Sequence, residues 1–168
     1  MSAVKDRMGY QSKVVWELRG ADGGLKDRRE TTNLVTDVGD EYCAACLYTP
    51  PTAMDSFKLG TATTAVAKNG AGSFVAAADY VDASAHECDE ASPKAGATAD
   101  IVTFIHTWAA GEATNATLNR IGLTDNSTNA GEADATHTMA IALLPDKPIN
   151  KGAADTLKVT WNITFLGA

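Results

Sequence analysis

The 168-residue sequence lacks most of the features that identify an enzyme or a membrane protein. It has only three cysteines and three histidines, and no apolar run near the ~20 residues that a membrane-spanning helix requires. The GxSxG, HExxH and GxxxxGK(S/T) motifs are absent, and no GxGxxG opens a helix. We therefore expect a protein with no enzymatic activity, no cofactor and no membrane partner.

Basic residues are also in deficit. The chain has 14 Lys and Arg against 21 Asp and Glu, a net charge of −7. Because a nucleic-acid-binding protein neutralises phosphates with a basic face, this balance argues against a nucleic-acid partner. The first residues carry charges at Lys5, Asp6 and Arg7 with no apolar run behind them, so we also expect no signal peptide.

Aromatic residues make up only 7% of the chain, and alanine supplies much of its apolar content. The predicted core therefore combines small side chains with a few large anchors. A thin core gains stability from neighbouring subunits, which favours an assembly subunit that forms a homo-oligomer, a dimer or a trimer. The candidate anchors are Trp16, Phe57, Phe74, Phe104, Trp108, Trp161 and Phe165.

The clearest element that is present is a strand near the end of the sequence. From Leu157 to Phe165 apolar and polar residues alternate strictly, which is typical of a half-buried strand. The stretch "SKVVWELRG" predicts another strand, and "LKDRRETTNLVTD" predicts a charged segment that is paired with it in a hairpin. Charges of this kind suit an exposed sheet edge.

The remaining pattern predicts several short strands separated by turn residues and one short helix near residues 38–48. Asp37 or Asp40 is the expected helix cap, and Pro50-Pro51 is the expected end. This pattern indicates an all-β fold, an antiparallel β-sandwich of jelly-roll-like type. We expect a single sandwich domain over residues 12–168, preceded by an N-terminal arm over residues 1–11.

The cysteines and one histidine suggest a candidate zinc site. Cys43 and Cys46 form a CxxC pair, and His86 and Cys88 follow later in the chain, which together would supply four zinc ligands. The CxxC pair, however, falls in the predicted helix among alanines, where cysteine usually packs as a small apolar side chain. We favour core packing and no bound metal, with zinc or a disulfide as the alternatives.

Four stretches carry a resemblance: "ELRGADGGLKDRRETTNLVTDVGDEYCAACL", "FKLGTATTA", "HTWAAGEATNATLNRIGL" and "DTLKVTWNITF". They resemble, in this order, parts of small virion structural proteins of tailed bacteriophages, of the capsid decoration (cement) or tail-fibre-associated type. Two positions depart from the pattern, Ala62 in place of a glycine and Arg120 in place of an acidic residue. The resemblance implies no active site and no cofactor.

The resemblance implies a protein of the capsid surface of a virion, made in the host cytoplasm, that binds the major capsid protein. Such a protein stabilises the shell through many modest contacts multiplied by symmetry. For the interface with the capsid or with other subunits we expect the arm, with Met8 and Tyr10 as apolar anchors, and the charged edge. The edge residues are Lys26, Arg28, Arg29 and Glu30.

The alternative function is that of a tail-fibre or baseplate module that binds a glycan on the host surface. Glycan-binding proteins present exposed aromatic rings to sugars. The candidate rings are Tyr48, Tyr80 and Trp108.

Overall fold

A computed structural model of the chain describes residues 9–49, 51–69, 81, 84–89, 94–95, 101–125, 137–144 and 146–166. Over these residues it confirms the predicted all-β fold with one short helix. The elements, in chain order, are β1 (Gly9–Arg19), β2 (Leu25–Thr31), β3 (Asn33–Val35), α1 (Asp37–Ala45), β4 (Ser56–Gly60), β5 (His86–Glu87), β6 (Lys94–Ala95), β7 (Ile101–Trp108), β8 (Asn115–Leu118), β9 (Arg120–Thr124), β10 (Thr138–Leu143), β11 (Ile149–Lys151) and β12 (Thr156–Leu166).

The first sheet is antiparallel, with the strand order β2-β1-β12-β7-β6. The predicted terminal strand is β12, and it lies at the centre of this sheet between β1 and β7. Pairing with β1 runs without interruption from Gly9 opposite Leu166 to Arg19 opposite Thr156. Residues 9–11, which we assigned to the arm from sequence, therefore belong to β1.

The second sheet has the order β3-β10-β9-β4-β5, and β8 pairs with β11 in a separate two-stranded ribbon. All residues of β4 and β9 are buried. These two strands pair directly, with Leu59 opposite Ile121 and Gly60 opposite Arg120. Both strands still alternate, since Phe57 and Leu59 of β4 and Ile121 and Leu123 of β9 are separated by polar residues or glycine. The polar face is buried as well as the apolar one.

Aromatic rings join the two sheets. Phe57 of β4 stacks on Trp161 of β12 with ring centroids 5.9 Å apart, and it lies 6.3 Å from Trp108 of β7. Trp16 of β1 completes this set of fully buried rings. Because each ring buries about 150–250 Å² of apolar surface, these few residues provide much of the core that the alanine-rich composition cannot. Of the other expected anchors, Phe104 is buried, Phe165 is partly buried, and Phe74 lies outside the described residues.

Helix α1 occupies the predicted position, but its cap differs from the expected one. Thr36 is the N-cap, and its Oγ1 accepts a hydrogen bond from the Gly39 N–H at 3.1 Å. The same hydroxyl donates to the main-chain oxygen of Thr138 at 2.6 Å, which ties the helix start to β10. A Cβ at Gly39 would collide with the main-chain oxygen of Met139, so the helix approaches the sheet where only glycine fits.

Two buried cations hold loops against the sandwich. Lys151 Nζ donates to the main-chain oxygens of Ala109 at 2.9 Å and Glu112 at 2.7 Å, and burial lowers the pKa of Lys151. Arg120 donates to the main-chain oxygens of Ala62 at 3.1 Å and Thr64 at 2.8 Å, and its side chain is fully buried. Arg120 therefore has a structural role in the loop after β4.

Removal of the Lys151 charge should destabilise the fold. Lys151→Met removes the buried donor from the main-chain oxygens of Ala109 and Glu112, which lie at the margin of the fold, so we expect the free energy of unfolding to fall by about 1–3 kcal/mol. Lys147→Met makes the same change at an exposed lysine and should cost less than about 0.5 kcal/mol. Urea titrations followed by tryptophan fluorescence measure both values. Equal losses in the two variants would contradict the assigned role of Lys151.

Candidate functional site

The charged residues that sequence analysis selected lie on β2, the outermost strand of the first sheet. Within the described part of the chain, β2 pairs only with β1, so its other edge has no strand neighbour there. Lys26, Arg28 and Glu30 are exposed, whereas Asp27 and Arg29 between them are partly buried. The strand therefore presents one solvent-facing row of charges and one row that faces the sandwich.

The solvent-facing row continues onto β1. We call Lys13, Glu17, Lys26, Arg28 and Glu30 the charged face. Lys13 Nζ lies 2.8 Å from a Glu30 carboxylate oxygen, and Arg28 lies 2.6 Å from Glu30 and 4.0 Å from Glu17. Hydrogen bonds from Lys13 and Arg28 hold the pKa of Glu30 below its usual value. Exposed pairs of this kind contribute only about 0–1 kcal/mol, so a partner protein can replace them at little cost.

The row that faces the sandwich is held more firmly. Arg29 donates from Nε and Nη2 to the two carboxylate oxygens of Asp27, each at 2.8 Å, and this fork lowers the pKa of Asp27. Arg29 is the cross-strand partner of Trp16, so the pair lies at the margin of the core. Arg29 therefore supports the sheet edge, while Arg28 and Glu30 are available at the surface.

Lys26 connects β2 to the turn before β12. Its Nζ donates to both carboxylate oxygens of Asp155, at 3.0 and 2.8 Å. Asp155 is itself almost fully buried and accepts the Gly152 N–H at 3.0 Å. The Lys26 hydrogen bond is the main reason that the pKa of Asp155 is lowered. This contact orients Lys26 although half of its side chain remains exposed.

Of the two predicted apolar anchors of the interface, the structure describes only Tyr10. Met8 lies outside the described residues. Tyr10 is partly buried on β1, and its hydroxyl donates to Asp40 of α1 at 3.0 Å. Burial, and then this hydrogen bond, raise the pKa of Tyr10 to about 12. Tyr10 thus joins the first strand to the helix, and its role as an anchor for a partner stays a prediction.

The candidate zinc ligands belong to two different parts of the fold. Cys43 and Cys46 lie on and just after α1, which packs on β3 and β10 at one edge of the second sheet. His86 is on β5 at the opposite edge, and Cys88 follows it. In the described ranges no three His, Cys, Asp or Glu side chains are placed to share a metal ion, and all three cysteines are free. Burial raises the pKa of Cys88 to about 12.

The buried ring of His106 lies at the centre of a small cluster of titratable side chains. Its ring stacks on His86 at 4.7 Å and meets the edge of Trp108 at 4.7 Å. Its Nδ1 lies 2.6 Å from an Asp89 carboxylate oxygen, although the N–H is not aligned for a good hydrogen bond. Burial lowers the pKa of His106, and the Asp89 charge opposes this effect. The arrangement is that of a packed ring.

An apolar groove of about 320 Å³ lies between α1 and the first sheet. Cys43, Met54, Phe104 and Phe165 are among its lining residues, and no charged side chain lines it. Leu47 and Tyr48 beside it are exposed. Among the described residues its lining is apolar apart from the Tyr42 hydroxyl and the thiols of Cys43 and Cys46. Among the described helices none is long and apolar enough to cross a membrane.

Comparisons with protein-family models, with curated proteins and with solved structures found no match. The site is therefore described by its own geometry alone. Sequence analysis missed Lys13, Glu17 and Asp155 as members of the charged surface and its support. The alternation of Lys13 and Glu17 along β1 was a usable signal, because both occupy the polar face of a strand paired with β2.

Acidification should destabilise the protein through His106. Because its pKa is lowered in the folded state, the unfolded chain, with a pKa near 6.5, takes up the proton more readily. The contribution of His106 to the free energy of unfolding is fully present above about pH 6.5. It falls as the pH decreases toward the folded-state pKa, by at most about 1.4 kcal/mol per pH unit. His86, Asp89 and Glu112 are the charged or titratable groups around the ring.

Urea titrations at about pH 7.5 and about pH 5.5 measure this effect. His106→Gln should lose less stability between the two pH values than the original protein. A variant that still unfolds cooperatively at the higher pH serves as its own control for folding. An unchanged pH dependence in His106→Gln would contradict the assignment.

Proposed function

We propose that this chain is a non-enzymatic structural protein of a tailed-bacteriophage virion, a capsid decoration protein that binds the outer surface of the head. The observation that carries the proposal is the placement of the stretches that resemble such proteins. "FKLGTATTA" covers all but the first residue of β4, "RIGL" lies in β9 beside it, and "DTLKVTWNITF" covers all but the last residue of β12. Phe57 and Trp161 join these stretches by direct stacking across the sandwich.

The use of the charged and polar residues also supports a structural role. Lys151, Arg120 and Asp155 are buried. Lys151 and Arg120 donate to main-chain oxygens, and Asp155 accepts from the Gly152 N–H and from Lys26. These residues hold loops and turns in place. A protein whose polar groups serve mainly to fix its loops is suited to present a rigid outer surface, which a shell-stabilising subunit requires.

The charged face is the surface that we assign to the capsid or to neighbouring subunits. Lys13, Arg28 and Glu30 of this face are exposed and form weak pairs with each other, as described above. Contacts of this strength are individually modest, and a closed symmetric shell multiplies them. The proposed partners are the major capsid protein and further copies of this chain, in a virion assembled in the host cytoplasm. Nucleic acid and membrane are not among the proposed partners.

The alternative of a glycan-binding tail module has less support. Trp108 is fully buried, and its Nε1 donates to the main-chain oxygen of Ser84 at 3.0 Å. Tyr80 lies outside the described residues. Tyr48 is 80% exposed and is the candidate ring that remains for this function in the described part of the chain. A single exposed ring is a weak basis for sugar recognition.

Immunogold electron microscopy of intact virions tests the proposal. Antibody raised against the purified chain is applied to particles of the phage whose genome encodes it, and particles from a strain with the gene deleted are the control. We expect label distributed in a lattice over the head. Label at the tail tip alone would contradict the decoration role and favour the alternative, and particles without label would contradict a virion location.

A further inference from the structure

We propose that two copies of this chain pair through their β2 edges, antiparallel and about a two-fold axis at Arg28. The proposal rests on the assignment, in the proposed function, of the charged face to neighbouring subunits, and its test uses the purified chain in solution, apart from any virion. It starts from the position of β2, a seven-residue edge strand without a neighbour on one side in the described structure. An unpaired edge of this length is a template for another strand.

The charge pattern of β2 is complementary to itself. The strand reads "LKDRRET", so antiparallel pairing centred on Arg28 places Lys26 opposite Glu30 of the second copy. The same register places Asp27 opposite Arg29 of the second copy, and the two-fold axis repeats both pairs. Directly opposed residues have Cβ atoms about 4.5–5.5 Å apart, close enough for opposite charges to attract.

Other symmetric registers are less favourable. Two-fold symmetry allows the centre to move only to another residue of the strand. Centring on Asp27 would oppose Lys26 to Arg28, a like-charge pair, and would place the two Asp27 residues opposite each other. Centring on Arg29 would oppose Arg28 to Glu30, but it would place Asp27 opposite Thr31, so one of the two kinds of opposite-charge pair would be lost. The register at Arg28 is therefore the one that the sequence specifies.

The like charges at the axis are already compensated within each copy. Each Arg28 has Glu30 at 2.6 Å and Glu17 at 4.0 Å on its own chain, so the two arginines meet with carboxylates beside them. Leu25 adds an apolar contribution. Its side chain is 51% exposed at one end of β2, and the proposed register covers it with Thr31 of the second copy.

Many edge strands carry charged side chains that discourage pairing with another strand, because the charges would be left without partners in the paired sheet. On β2 the charges are arranged so that a second copy satisfies all of them except the Arg28 pair at the axis. Pairing joins two five-stranded sheets into one continuous sheet across the dimer. The interface is isologous, because the same strand contributes from both sides.

Sedimentation equilibrium of the purified chain tests the proposal. We expect a reversible dimer of twice the 17.5 kDa chain mass, with a dissociation constant that rises with ionic strength. Glu30→Lys and Lys26→Glu each place like charges opposite one another and should weaken the dimer by about tenfold or more. Glu41→Lys, the same change as the first at an exposed position of α1, should leave the dimer unchanged.

Combining the two reversals provides the decisive control. Lys26→Glu with Glu30→Lys in one chain restores opposite charges across the axis, as does mixing the two single variants, and both should recover dimerisation. Circular dichroism verifies that each variant is folded, and recovery on mixing excludes a folding defect in either single variant. A monomeric parent chain, or single reversals that leave the dimer intact, would overturn the proposal and leave the decoration role untouched.

Discussion

The stacking of Phe57 between the two sheets is the interaction on which the rest of the structure depends. Phe57 contacts Trp161 at the centre of the first sheet and approaches Trp108 on the neighbouring strand. Because the chain has few large apolar residues, loss of this contact could not be compensated by the alanine-rich remainder of the core. With the two sheets fixed in this way, β1 lies beside β12, and β2 is left at the edge.

The charged residues divide into two groups with different roles. Lys151, Arg120 and Asp155 are buried, and their hydrogen bonds hold loops and turns in position. Removing a partner from such a buried group strongly lowers the free energy of unfolding, so these contacts favour a single well-defined structure. Arg28 and Glu30 are exposed, and their mutual pair is weak. The buried residues hold the loops of the surface in place. The exposed residues Arg28 and Glu30 are available to exchange partners across an interface.

Much of the fold, and part of the site, could be predicted from the sequence. Strict alternation located β12, and the polar run with mixed charges correctly indicated an edge strand paired with β1. The helix cap was predicted at Asp37 or Asp40 and is Thr36, because the Thr36 hydroxyl also donates to the main-chain oxygen of Thr138 in β10, a contact that sequence does not show. The support of Lys26 by Asp155 spans 129 positions, and such long-range contacts follow from the packing of the sheets rather than from local patterns.

The central claim is that the exposed β2 edge is a contact surface in a virion head. The most direct measurement is a cryo-electron microscopy reconstruction of the head at a resolution that separates β-strands. The account predicts a sandwich on the outer surface of the shell whose β2 edge contacts a second copy or the major capsid protein. A shell with no density for this chain, or a sandwich whose β2 edge faces solvent while another surface makes the contacts, would contradict it.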